Sequence, residues 1–195
     1  MNNYFNTLFN PFVRIAGYKA FLIGIVFLLL TAVVGNINQI YFPGILSTKS
    51  IPCLQLYHAL IFQAIAVSVA VLIFYLLGLL FAKKVRFQDI LGTVTLSRYP
   101  CLISAALGFL AQKDMAQLME MLRSGNIAFT LSLRFWVFTL IAMLVCVWSL
   151  VLLYKAFKIS TGLKQGVKLT WLFIAGVLLT EGISAVLIPL CLGGR

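Results

Sequence analysis

Two charged side chains, Arg98 and Glu181, interrupt apolar stretches and are the residues best placed to do chemistry. A charge inside a bilayer is costly, so such residues face a bundle interior, pair with one another, or mark an ion or substrate path. Arg98 lies about eight residues into the third apolar segment and Glu181 about thirteen into the fifth. At the helical rise they sit roughly 12 Å and 20 Å from the same membrane face, a difference of about 8 Å that their side chains can span. The expectation is a buried ion pair, with Arg98 and Glu181 as a candidate intramembrane polar pair. As a structural lock it would fix helix register and satisfy two charges that neither helix tolerates alone. As a site it would hold an ion, a proton or a lipid headgroup. Thr93, Ser97 and Thr180 add a modest polar stripe, too weak to define a conduction path.

The rest of the polar inventory is thin. His58 is the single histidine, and one histidine without suitably spaced Cys or acidic neighbours does not build a typical zinc site. The acids are Asp89, Asp114, Glu120 and Glu181. No HExxH, G-x-S-x-G, Walker A or G-x-G-x-x-G motif occurs. A hydrolase needs a nucleophile and a base within hydrogen-bond reach, and no such pair can be nominated. The reading is therefore a non-enzyme with no catalytic residue, no metal site and no cofactor. Of the cysteines, Cys101 and Cys146 fall in apolar runs as small packing residues. Cys53 and Cys191 fall near the same predicted face, where a disulfide is an alternative to two free thiols.

These side chains must be positioned by membrane helices. Of 195 residues, 63% are hydrophobic and 10% charged; soluble domains average about 45–50% and about 25%. So short a chain cannot hide that much apolar surface in an aqueous core. Five segments approach the ~20 apolar residues of a spanning helix: about 19–35, 59–82, 90–111, 134–154 and 168–192. The first lacks an A-x-A cleavage site and reads as an uncleaved helix rather than a signal peptide. The net charge of +11 is clustered between apolar runs, which speaks for topology and anionic lipid rather than nucleic acid. With the N-terminus inside, Arg14, Lys19, Lys83, Lys84, Arg86, Lys155, Lys158, Lys164 and Lys168 are cytoplasmic. Lys49, Lys113, Arg123, Arg134 and Arg195 lie opposite, nine against five. The expected fold is an all-α integral membrane bundle of five transmembrane helices, N-terminus in and C-terminus out.

Residues 1–18 read as an N-terminal interfacial segment before a five-helix domain over 19–195. In it, Phe5, Leu8, Phe9, Phe12 and Val13 recur at helical spacing, with Asn10-Pro11 as a start; a frayed terminus is the alternative. Met115, Leu118, Met119 and Leu122, with Lys113, Asp114, Glu120 and Arg123, predict a short amphipathic helix on the outer surface. A partner-binding helix would look the same. Pro43-Gly44 and Pro52 mark the first loop as a turn-rich connection. Tyr99 and Pro100 form a candidate kink in the third helix that would free the carbonyl near residue 96. Around it Ser97, Cys101 and Ala105, and Ser104 and Gly108, repeat at four-residue spacing. Small residues at that interval admit close packing and place this helix centrally, whereas the second helix can face lipid.

The stretch DILGTVTLSRYPCLISAALGFL, with Tyr99-Pro100, resembles the proline-broken third helix of the Ypt-interacting protein (YIP) family. VWSLVLLYKAFKISTGLKQGVKLTWLFIAGVLL, with Trp148, resembles that family's fourth helix, short basic loop and fifth helix. The resemblance runs from about Phe12 onward and agrees in helix count and topology. It implies a non-enzymatic membrane protein; eukaryotic members bind prenylated Rab-type GTPases through a long cytosolic N-terminal region. Only about eighteen residues precede the first helix here, which argues against GTPase binding and points to a compact bacterial-type member in the cytoplasmic (inner) membrane. The expected partners are the lipid bilayer and a second copy or another membrane protein, not nucleic acid. Three function classes are in play, in this order: a scaffold or membrane-organising, trafficking-related protein; a small transporter or channel using Arg98 and Glu181; and a lipid-modifying enzyme, for which no residue can be named.

Overall fold

A computed structural model describes residues 11–13, 15, 17–51, 55–82, 85–124, 132–163 and 166–191. These form an all-α bundle in which five helical segments are long and apolar enough to cross a bilayer. They are α1 (Tyr18–Ile37), α2 (Leu56–Phe81), the broken span α3 (Phe87–Leu96) plus α4 (Cys101–Leu107), α6 (Leu133–Thr161) and α7 (Val167–Cys191). The short helix α5 (Gln112–Ser124) links α4 to α6. Leu22, Val26, Leu76, Leu140, Met143 and Leu178 are among the large apolar side chains left outward. Apolar surface on that scale is untenable in water and natural in lipid.

The α3–α4 span is central, with 67% of its most apolar 18-residue stretch buried against 28–39% of the equivalent stretch in the other four. Its small residues explain how. A Cβ on Gly24 of α1 would lie 2.8 Å from the Leu96 backbone nitrogen, and one on Gly92 of α3 would run into the Gly17 carbonyl. The bare glycines let the two backbones touch, as small residues do where membrane helices pack closely.

On the other side, Phe74 of α2 and Phe157 of α6 meet with ring centroids 5.2 Å apart. Ile90, Val94, Leu169 and Val177 complete that core cluster. The second helix therefore does more than face lipid. Its Leu72–Leu76–Leu79–Leu80 side is outward, while Val67, Ala70, Val71 and Phe74 are buried. A helix that is apolar all round can serve both surfaces, and periodicity alone does not separate them.

Two further expectations are corrected, and the N-terminal segment is described only in part. Pro11–Val13 is a single 3₁₀ turn, and Phe12, 1% exposed, is inserted among Ala20, Leu96, Leu152 and Ala156; residues 1–10 lie outside the described residues. The chain does break at Tyr99-Pro100, between α3 and α4, but the Leu96 carbonyl is not freed, because it accepts the Tyr99 N–H at 3.1 Å in a tightened turn. Asp114 is not part of a wet polar face. It is buried and accepts from the Ser132 N–H at 3.1 Å and the Ser132 hydroxyl at 2.6 Å. Ser132 in turn caps α6 by accepting from the Phe135 N–H, so this carboxylate anchors the start of the next span. Lys113 and Glu120 of α5 are exposed, as an amphipathic helix requires.

Candidate functional site: a re-entrant loop held by two charges

The connection between α1 and α2 is the feature on which the two intramembrane charges converge. It begins with two short antiparallel strands, β1 (Ile40–Tyr41) and β2 (Lys49–Ser50), with Ile40 opposite Ser50 and Tyr41 opposite Lys49. The tip between them dips into the bundle, and Ile40, Tyr41, Phe42, Pro43 and Gly44 are buried. Its stem is pinned by Asn38, whose side-chain amide donates to the Ala105 carbonyl at 2.8 Å. Irregular backbone at membrane depth is tolerated only where protein or a polar cavity satisfies it.

Arg98 and Glu181 supply that satisfaction. Arg98, in the turn between α3 and α4 and 6% exposed, donates from Nη2 to the Gly44 carbonyl at 2.7 Å. Glu181, half-buried on α7, accepts the Leu46 N–H through Oε1. Glu181 lies ten residues before the end of α7 at Cys191, about 15 Å along the axis, so the tip reaches well below the bundle rim. The hydrogen bonds of the two side chains thus go to one loop and not to each other. The loop backbone lies where a direct ion pair was expected. Charge-assisted bonds of this kind are shorter and stronger than neutral ones. Arg98 Nη1 is buried without a protein acceptor.

Gly44 makes this contact possible. A Cβ there would lie 2.5 Å from Glu181 Oε2, 2.6 Å from Oε1 and 2.5 Å from Ser47 Oγ. The carboxylate and the Ser47 hydroxyl therefore converge beside the bare glycine. Next to them is a cavity of about 70 Å³ between the loop and α7, lined in part by Ser47, Lys49, Glu181 and Ser184.

The remaining expected polar residues are used elsewhere. Thr93 meets Ser160 of α6, oxygen to oxygen, at 2.9 Å, and Ser97 bonds back to the Val94 carbonyl. Neither extends a polar path from Arg98. Cys101 is buried with Sγ 3.8 Å from Ser149 Oγ. Cys53, and with it the Cys53–Cys191 pairing, lies outside the described residues. His58 stacks on Tyr57 with centroids 3.9 Å apart. Among the described residues, no group of three His, Cys, Asp or Glu side chains is placed to hold a metal ion.

Sequence reasoning missed Gly44, Leu46, Ser47 and Ser184. One signal was available: Ile40-Tyr41-Phe42-Pro43-Gly44-Ile45-Leu46 is too apolar for a loop bathed in water. The chain matches no protein-family model, no curated protein and no solved structure.

Proposed function

We propose that this chain is a non-enzymatic membrane scaffold or membrane-organising protein, of the compact bacterial YIP type that its third, fourth and fifth helices resemble. The bacterial inner membrane and a trafficking-related role belong to the same reading. One observation carries the scaffold role. Arg98 and Glu181, the two charges a transporter would need free, are both hydrogen-bonded to the backbone of one buried loop. Their work in the resting fold is to hold that loop between α3–α4 and α7. A rigid bundle with outward apolar faces suits a protein that associates laterally with lipid, a second copy or another membrane protein.

The test is a cycle of Arg98→Leu, Glu181→Leu and the double variant, scored for folded yield and thermal stability in detergent, with flux measured in proteoliposomes. Each single change removes a charge-assisted bond of about 1.5–3 kcal/mol. Because both bonds serve one loop, the double loss should fall short of the sum. Solute or ion flux by the wild type that vanishes in a folded Glu181→Gln variant would replace the scaffold reading with the transporter one.

A further inference from the structure

Most hydroxyls in these helices are spoken for. Thr31, Thr95, Thr161 and Thr180 each donate to the carbonyl four residues before, at 2.6–2.7 Å. This back-bonding is how a hydroxyl is usually satisfied in a membrane helix. Ser184, one turn after Thr180, departs from it. It is 1% exposed, its Oγ has no hydrogen-bond partner, and it lines the cavity between the loop and α7. A buried hydroxyl left unmatched costs about 1–3 kcal/mol, so Ser184 is a group that a polar ligand entering the cavity would satisfy.

Two more oxygen-bearing side chains line the same cavity. Glu181 uses Oε1 for the Leu46 N–H, while Oε2 converges with Ser47 Oγ beside Gly44. Glu181, Ser47 and Ser184 all line the cavity. A carboxylate and two hydroxyls offer three acceptors, the number of donors on a primary ammonium. The exposed Lys49 also lines it and adds a positive charge. Lys49 disfavours a bare metal cation and suits a ligand with a negative group a few atoms from its amine. The volume, about 70 Å³, is several times the ~10–15 Å³ one water requires and admits a short aminoalkyl group.

We propose that the cavity between residues 43–49 and α7 binds the protonated primary amine of a small zwitterion, with Lys49 receiving its anionic end. Phosphoethanolamine has this chemistry, whether as the headgroup of a lipid entering beside α7 or as a free solute. The inference goes beyond the scaffold reading and does not depend on it.

The test compares phosphatidylethanolamine with phosphatidylcholine on the full-length protein. The two share charge and differ in whether the nitrogen carries N–H donors. Lipid retention is followed by native mass spectrometry, and free O-phosphoethanolamine is titrated by thermal shift in lipid-free detergent. Ethanolamine lipid should be retained roughly tenfold over choline lipid, and Ser184→Ala should erase most of that preference without lowering the melting temperature. Lys49→Gln should weaken retention of both lipids and leave the preference. A shift with free phosphoethanolamine, absent in Ser184→Ala, combined with no lipid preference would assign the site to a soluble zwitterion. Equal retention of the two lipids and no shift with the free amine would overturn the proposal. So would a preference that Ser184→Ala leaves intact.

Discussion

Gly44→Ala is the most direct probe of the loop's seating. The added methyl would sit 2.5–2.6 Å from both carboxylate oxygens of Glu181 and 2.5 Å from Ser47 Oγ, where 3.4–4 Å is ordinary contact. The atoms in the way end flexible side chains, so the carboxylate can retreat by about 1 Å, which strains or breaks the bond from the Leu46 N–H. The loss is then one charge-assisted hydrogen bond, about 1.5–3 kcal/mol, plus an overpacking term of about 1 kcal/mol. The total of about 2.5–4 kcal/mol corresponds to a fall of roughly 5–15 °C in Tm for a chain of this size. The assay is thermal unfolding of the purified protein in one detergent, alongside Glu181→Ala and the double variant. In the Glu181→Ala background only the Ser47 hydroxyl, which can rotate away, still meets the methyl, so Gly44→Ala should cost less than about 1 kcal/mol more. A Gly44→Ala protein that melts within a degree of wild type would refute the placement of the carboxylate. Strictly additive losses would refute the coupling.

Two further substitutions test other contacts. Gly92→Ala places a methyl against the Gly17 carbonyl, rigid backbone that cannot step aside, so the α1–α3 contact must open. A stability loss of about 1–3 kcal/mol or more in detergent is expected, and Gly182→Ala, with nothing near its Cβ, should be near neutral in the same assay. Asp114→Ala removes both bonds to Ser132 and should destabilise by about 1–3 kcal/mol. Hydrogen exchange should show the excess opening at the first turn of α6 rather than in α2 or α7.

The span count, the helical class and the two odd charges were legible because each rests on local composition. Twenty apolar residues in a row must find lipid or a core wherever the chain takes them, and a charge among them stands out before any fold is known. The helix break at Tyr99-Pro100 was legible for the same reason, since a missing N–H is a property of one residue. How the ends of that break are satisfied was not, because the Leu96 carbonyl found its partner in a tightened turn.

What only the tertiary structure decided is where things meet. Axial arithmetic brought Arg98 and Glu181 to similar depths and suggested a direct pair. It could not show that the tip between β1 and β2 lies between them and takes both hydrogen bonds. Asp114 read as part of the polar side of an amphipathic helix because its partner, Ser132, lies eighteen residues on. Ser184 drew no notice in the sequence because its exception is the absence of a bond. Helix formation is written in short-range periodicity, whereas loop burial and polar pairing depend on which helices are neighbours, and an apolar helix carries little angular information about its neighbours.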